Sequence, residues 1–131
     1  MPHLQFEVSK KLTKESKVEF INFVQLQFSK IMLTGTDHIA ISIREMNTEN
    51  LNLGRAIKNK AVCLMNLDIR QGRSESQKKE LVKNLIKGAE SILGVEAKNQ
   101  YVTITNHTGE EFNFFEKSLT DWKKNDDPAN N

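Results

Sequence analysis

The feature that most constrains the fold is an order of strand, helix and strand that occurs twice along the chain. HLQFEV alternates apolar and polar residues as a half-buried strand does, SKVEFINFVQLQFSKIM carries apolar residues at helical spacing, and HIAISIR alternates again. The order recurs as AVCLMNLDI, a second helical segment and QYVTIT. Thr13 and Ser74, which precede the two helical segments, lie 61 positions apart. This period predicts two βαβ units in tandem.

Local signals predict where the two helices begin and end. Thr13 is a candidate N-cap of the first helix, and we expect LTGTD to break that helix at Gly35. Ser74 and Gln77 form the S-x-x-Q pattern of a capping box, and Gly94 is a candidate C-cap. The residues expected to face the core recur at helical spacing: Val18, Ile21, Val24, Phe28, Ile31 and Met32, then Leu81, Leu85, Ile86, Ala89, Ile92 and Leu93.

Two βαβ units can join into one four-stranded mixed sheet of the α/β (α+β) class. The connection within each unit is expected to be right-handed, with its two strands parallel. We expect both helices on one face of the sheet and the first strands of the two halves near each other at its centre. The other face is expected to carry enough apolar side chains to need covering. The sequence therefore predicts self-association.

The chain length fits a single domain, which we place over residues 1–122. The two repeats cover about 2–44 and 61–105. Residues 45–60 are polar and rich in Asn, which predicts a connecting loop with room for a short edge strand. The tail over 123–131 has little to bury and is expected to be disordered.

The segment NHTGEEFNFF follows the last predicted strand. It contains a turn at Thr108 and Gly109, and then apolar residues in alternation: Phe112, Phe114 and Phe115. This pattern predicts a short C-terminal strand or arm that packs on a neighbouring subunit. Tyr101 and Trp122 are expected to be packing groups.

Composition excludes several classes of function. The single cysteine, Cys63, rules out an internal disulfide or a Cys-based zinc cluster, and its apolar neighbours predict a buried thiol. The three histidines have no metal-ligand spacing, and His38 and His107 are expected in loops or on the surface. A net charge of +2, without a basic stripe or a phosphate-binding glycine loop, gives no reason to expect nucleic acid. With neither a membrane span nor a secretory signal, we expect a cytoplasmic protein.

Pro2 stands at the start of the first strand, and two readings of it are open. Proline is tolerated as the first residue of a strand, so the position can be purely structural. Small second residues also permit removal of Met1, which would leave Pro2 as a secondary amine at the edge of the folded core. The second reading gives the chain a candidate catalytic base.

Arg70 and Arg73 precede the second helix in DIRQGRSESQK. Helix N-termini favour anions, and guanidinium groups bind carboxylates through two parallel hydrogen bonds. The alternative is a solvated turn. Near Pro2, two arginines and a partly apolar pocket would lower the amine pKa from its ordinary value of about 8, so that it could take a proton at neutral pH. They would also stabilise an enolate.

Together, a proline after Met1, the βαβ duplication and R-x-G-R-S before a Q-K-rich helix resemble the tautomerase superfamily. LTGTDH and RQGRS look most like the cis-3-chloroacrylic acid dehalogenase group, and malonate semialdehyde decarboxylase and macrophage migration inhibitory factor are more distant relatives. The resemblance covers roughly residues 2–115. It implies a homotrimer with three sites, each near Pro2, that bind a small carboxylate substrate without a cofactor or metal.

The resemblance also implies roles for individual residues. Pro2 matches the catalytic proline, and Arg70 and Arg73 match the arginine pair that binds the substrate carboxylate. Asp37 falls near the aspartate of the decarboxylase group, whose first arginine is replaced by Gln71.

Other positions depart from the dehalogenase pattern. Lys30 stands near that group's helix histidine, and Thr103 stands where it has a strand tyrosine. Its water-activating glutamate falls near Phe114, with Glu110 and Glu111 just upstream as substitutes.

The sequence therefore predicts a tautomerase that interconverts keto and enol forms of small 2-oxo acids. Pro2 would carry the proton, and Arg70 and Arg73 would bind the carboxylate. One alternative is a hydratase, dehalogenase or decarboxylase acting on a three-carbon unsaturated or oxo acid, with Asp37 or Glu111 activating water. The other is a non-enzymatic protein-binding module with the same fold.

Overall fold

The computed structural model describes residues 2–115. The elements follow the predicted order: β1 Pro2–Val8, α1 Lys14–Met32, β2 Ala40–Glu45, β3 Cys63–Arg70, α2 Glu75–Gly88 and β4 Gln100–His107. Short helical turns complete the chain: a π-helical turn at Ala89–Leu93, directly after α2, and 3₁₀ turns at Thr48–Asn50, Ala97–Asn99 and Gly109–Glu111. Trp122 and the tail over 123–131 lie outside the described residues.

The four strands form one mixed sheet in the order β2-β1-β3-β4. β1 pairs with β2, and β3 with β4, in parallel, whereas the two central strands are antiparallel. Both predicted βαβ units are confirmed, as is the placement of their first strands at the centre. Because β1 and β3 run in opposite directions, β1 begins at the end of the sheet where β3 finishes.

The helix caps confirm most of the local signals. Thr13 accepts a hydrogen bond from the Ser16 amide at 3.1 Å. Ser74 accepts from the Gln77 amide at 3.1 Å, and the Gln77 side chain accepts from the Ser74 amide at 2.9 Å, which completes the capping box. Gly94 closes the second helical segment at φ +71°.

The predicted break of α1 at Gly35 is wrong. α1 ends at Met32, and Leu33 adopts the left-handed conformation at φ +54° and donates its amide hydrogen to the Ser29 carbonyl. The left-handed residue that ends a helix is usually glycine, so the sequence pointed to Gly35 rather than to Leu33.

The core lies between the sheet and the two helices. Alternate residues of the central strands are buried there, and Leu4 pairs with Leu67 in the register. Phe20 is also buried and packs edge-on against Phe6, with 4.9 Å between ring centroids. Val18, predicted to face the core, is instead 51% exposed. Phe20 precedes Val24 by four positions and shares its helix face, whereas Val18 precedes it by six.

The face of the sheet away from the helices is mostly polar, so it carries fewer apolar side chains than expected. Gln5, Asn66 and Thr103 lie side by side across three strands of this face. Gln5 and Asn66 both donate to the carboxylate of Asp68, and Thr103 donates to the Asn66 side chain. The apolar members described there are Leu64 and Tyr101, on neighbouring strands, and Ala40 of β2.

The connector contains a 3₁₀ turn and, in the described chain, no edge strand. Asn99, fully buried, holds its far end: its side chain accepts from the Ile57 amide at 2.8 Å and donates to the Ala61 carbonyl at 3.0 Å. Of the predicted C-terminal strand or arm, the strand is wrong over residues 112–115, which follow a 3₁₀ turn as irregular chain. Within residues 2–115, no helix is long and apolar enough to cross a membrane.

Candidate active site

Three residues that the sequence predicted as one group lie at one end of the sheet, here called the Pro2 end. Pro2 is buried and opens β1, where it pairs with Ile69 of β3. Arg70 is the next residue along β3, and Arg73 lies in the turn that leads into α2. The antiparallel pairing of the two central strands therefore brings the chain start and both arginines to the same end of the molecule.

Arg70 is the last residue of β3 and is only 2% exposed. The register places it opposite His107 of β4. A guanidinium remains charged in proteins, and removing it from water is costly unless charged or polar groups surround it. Arg70 therefore supplies a fixed positive charge inside the protein, one position along the ladder from the residue opposite Pro2.

Arg73 is 7% exposed and joins the end of α1 to the start of α2. Its Nη1 donates to the Met32 carbonyl at 2.8 Å, and its guanidinium lies 5.9 Å from the centroid of the Phe28 ring. The Gln77 side chain makes a parallel contact by donating to the Ile31 carbonyl at 3.0 Å. These bonds satisfy carbonyls at the C-terminus of α1 and fix the orientation of Arg73.

The N-terminus of α2 adds to the positive potential at the Pro2 end. Gly72 makes the turn before it at φ +105°, a conformation that side chains rarely adopt. The helix dipole then favours an anion there. Two almost fully buried guanidinium groups and a helix N-terminus together make this end suited to a small carboxylate.

The sequence model of 5-carboxymethyl-2-hydroxymuconate isomerase matches residues 2–126. The chain belongs to the 5-carboxymethyl-2-hydroxymuconate isomerase family. This membership confirms the resemblance to the tautomerase superfamily and supports an isomerase or tautomerase-like activity at the level of the family. No curated protein sequence matches the chain significantly.

Solved structures of tautomerase-superfamily proteins share the fold of this isomerase family member. Macrophage migration inhibitory factor from Toxoplasma gondii has a TM-score of 0.76 at 12% identity, covering 88% of this chain and 98% of that one. A fused 4-OT described as an asymmetric trimer has a TM-score of 0.75 at 21% identity, with 89% and 95% covered. Malonate semialdehyde decarboxylase has a TM-score of 0.71 at 16% identity, with 86% and 89% covered. These likenesses confirm the fold.

One group at the Pro2 end of this isomerase family member was missed by sequence reasoning. His107 was expected in a loop or on the surface, but it is the last residue of β4 and its side chain is 25% exposed. Its Nε2 lies 2.8 Å from Oδ1 of Asp68, and its Nδ1 lies 3.3 Å from Oε2 of Glu111. The hydrogen bond to Asp68 raises the pKa of His107 above 6.5, against partial burial, and Glu111 adds to the rise.

The other predicted positions are dispersed. Asp37 is exposed in the turn before β2, which begins at the Pro2 end. Thr103 lies in the middle of β4 opposite Asn66, three ladder positions from the residue opposite Pro2, so one chain does not bring it to the site. Lys30 is exposed in the last turn of α1.

The remaining candidates lie around the end of β4. The Gln71 amide donates to the His107 carbonyl at 2.8 Å and extends the ladder beyond Arg70. Glu110 is exposed. The contact with His107 lowers the pKa of Glu111, which therefore stays ionised. Among the described side chains, no group of three or more His, Cys, Asp or Glu is arranged to hold a metal ion.

Proposed function

We propose that this protein is a cofactor-independent tautomerase that interconverts the keto and enol forms of small 2-oxo acids. One observation carries the proposal: Pro2 opens β1 beside the end of β3, where Arg70 and Arg73 hold two almost fully buried positive charges. A proton carrier and a carboxylate-binding group at one site are what this reaction needs. Membership of an isomerase family supports it.

Pro2 would act as the general base and then as the general acid. With Met1 removed, its nitrogen is a secondary amine, and burial near two guanidinium groups would lower its pKa from the ordinary value of about 8. The neutral amine takes a proton from the carbon next to the substrate carbonyl, and the electron pair of that C–H bond moves into the carbonyl to form an enolate. Delivery of the proton from the amine to the enolate oxygen gives the enol; in the reverse direction the amine takes the enol hydroxyl proton and delivers it to carbon, which restores the keto form.

The arginines would bind the substrate carboxylate and stabilise the enolate oxygen. Arg73 is held in place by the Met32 carbonyl and the Phe28 ring, so a substrate would meet an oriented guanidinium. Arg70, fixed at the end of a central strand, would meet the same ligand from the side of the sheet.

We further propose a cytoplasmic homotrimer with one site in each subunit. Apolar side chains are exposed at or near the Pro2 end: Leu33 is 68% exposed and Phe115 is 102% exposed. Covering them against another subunit would remove apolar area from water. The structurally similar fused 4-OT is described as a trimer.

A second candidate is the addition of water to a three-carbon unsaturated acid, or a decarboxylation. Glu111 favours it, because this carboxylate lies near the Pro2 end and its pKa is lowered by His107. The malonate semialdehyde decarboxylase of similar fold is described with decarboxylase and hydratase activities. Loss of hydration in Glu111→Gln, with kcat for tautomerisation unchanged, would support this candidate over the first.

The test combines intact mass with turnover of the enol form of an aryl pyruvate. A mass without Met1, and a loss of about 10²- to 10⁴-fold in kcat for Pro2→Ala, are expected if the amine carries the proton. Arg70→Ala should raise KM, whereas Lys30→Ala, which removes an exposed cation, should change neither constant. Retention of Met1, or full activity in Pro2→Ala, would contradict the proposal, and no turnover by the unaltered protein would favour the protein-binding module.

A further inference from the structure

The chain after β4 crosses the Pro2 end from one edge of the sheet to the other. We call residues 108–115 the strap. Near its start, the Phe112 ring packs against His107 of the edge strand β4, with 5.4 Å between ring centroids. Near its end, the Phe114 ring packs against His38, with 5.3 Å between centroids. His38 lies in the turn before β2, which is the opposite edge strand.

The strand order places the candidate site beneath the strap. Between the two edge strands lie β3 and β1, and at this end of the sheet they present Arg70 and Pro2. Neighbouring strands are about 4.8 Å apart, so the strap spans roughly 14 Å in passing from one edge to the other. A substrate that approaches Pro2 from the end of the sheet must therefore pass the strap.

His107 anchors the strap to the sheet. One ring nitrogen faces Asp68 of β3 and the other faces Glu111 of the strap, so the imidazole bridges two carboxylates. Glu111 also accepts from the Thr108 amide at 3.4 Å and from the Thr108 hydroxyl at 3.2 Å, which closes the first turn of the strap. Gly109 is buried in that turn. The anchor therefore fixes the strap where it leaves β4.

We propose that His107 is a positioning residue of the candidate site: by bridging Asp68 and Glu111 it holds the strap across the Pro2 end, and the strap limits the size of the 2-oxo acid that enters. The choice of substrate rests on the proposed function. The positioning of the strap rests only on the contacts of His107, Phe112 and Phe114. The two parts can therefore fail separately.

The bridge requires a proton on each ring nitrogen, because both face acceptor oxygens and a neutral imidazole has only one donor. Among the described residues, the charged groups that face His107 are Asp68 of β3 and Glu111 of the strap, and Arg70 lies opposite it in the register. The two carboxylates favour the charged ring, and its partial burial opposes it. Raising the pH removes one of the two protons and releases one end of the bridge.

The experiment measures amide hydrogen exchange in the full chain, since Glu111 and Phe112 both donate backbone hydrogen bonds within the strap. In His107→Gln, exchange of these amides should be faster on the order of tenfold, the effect of one lost charge-assisted hydrogen bond. His107→Arg, which can bridge two carboxylates without titrating near neutrality, should restore protection. His3→Gln, a substitution of an exposed histidine on the same face, is the matched control.

Steady-state kinetics then test whether the strap limits the size of the substrate that enters the site. His107→Gln should raise KM for a small 2-oxo acid more than it lowers kcat. It should also lower the ratio of kcat/KM for a small 2-oxo acid to kcat/KM for a bulky aryl one. In the unaltered protein, protection of the strap should fall as the pH rises above 6.5 through the raised pKa of His107. This titration needs no variant to fold.

Unchanged strap exchange in His107→Gln, or protection independent of pH, would overturn the proposal. If Pro2→Ala keeps full activity while His107→Gln still frees the strap, the proposed function fails and the positioning role stands. If Pro2→Ala is inactive but the strap does not respond to His107, the positioning role fails alone.

Discussion

The guanidinium of Arg73 donates to the carbonyl of Met32, the last residue of α1, across 2.8 Å. Arg73 is therefore a structural link between the two helices as well as a candidate ligand for a carboxylate. Its surroundings, the Phe28 ring and the end of α1, belong to the first half of the chain, whereas Arg73 belongs to the second. Substitution of this residue should affect stability and substrate binding together.

We expect Arg73→Lys to lower the free energy of unfolding by about 1–3 kcal/mol, because a lysine cannot reproduce the oriented guanidinium contact with a helix-end carbonyl. Urea unfolding gives the value. Lys79→Ala, a substitution of an exposed cation on α2, is the control. Arg73→Lys with unaltered stability would show that the Met32 contact contributes little.

Gly88 of α2 lies directly against the Phe23 ring of α1. A Cβ placed there would lie 2.7 Å from Cδ1 of the Phe23 ring and closer still to Cε1. Gly88→Ala would gain about 1 kcal/mol in helix propensity but lose about 1–3 kcal/mol through overpacking, so we expect a net loss of stability.

A double-mutant cycle tests whether the Phe23 ring causes that loss. In a Phe23→Ala background the clash is removed, and Gly88→Ala should then become neutral or stabilising. Gly35→Ala is the control substitution, because no described residue beyond its two chain neighbours lies within 4 Å of the added Cβ. An equal loss from Gly88→Ala in both backgrounds would contradict the predicted contact.

Cys63 is fully buried, as the sequence predicted, and burial raises the pKa of its thiol to about 12. Because the thiolate is the reactive form, we expect no labelling by a thiol reagent at pH 8 in the folded protein, and rapid labelling in urea. The unfolded chain loses this proton near the usual pKa of 9.0, and the folded chain does not. The contribution of the protonated Cys63 thiol to the free energy of unfolding is therefore present below about pH 9, and it is lost as the pH rises from there toward 12. Labelling of the native protein at the unfolded rate would show an accessible thiol.

Asn99 holds the connector through both ends of its amide. Asn99→Ala would leave the Ile57 amide and the Ala61 carbonyl without this partner, at a cost of about 1–3 kcal/mol for each group that stays buried. We expect lower stability and faster amide exchange at Ile57. Asn50→Ala, a substitution of an exposed asparagine in the same connector, should change neither quantity.

Local signals in the sequence were enough to predict the duplication, the caps at Thr13 and Ser74, and the central placement of β1 and β3, because each depends on residues close together or on a general rule of chain crossover. The convergence of Pro2, Arg70 and Arg73 at one end of the sheet follows from that placement. Their chemical roles stay predictions.

The features that the sequence did not predict depend on contacts between distant residues. His107 meets Asp68 across 39 positions, and only the register of β4 on β3 brings their side chains together. The end of α1 at Leu33 depends on a left-handed residue that is not glycine. Phe20 and Val18 are both apolar, and the phase of the buried helix face decides which of them faces the core.

The antiparallel pairing of β1 with β3 also has a consequence for how the chain folds. The side chains of Gln5 and Asp68, which meet across these central strands, are separated by 63 positions. Neither half can complete the sheet by itself, since each would leave its inner strand with an open edge. Pairing β1 with β3 closes the long loop of chain between Gln5 and Asp68, and this step is therefore expected to limit the folding rate. A fragment that contains only the first half would expose a strand edge that favours aggregation.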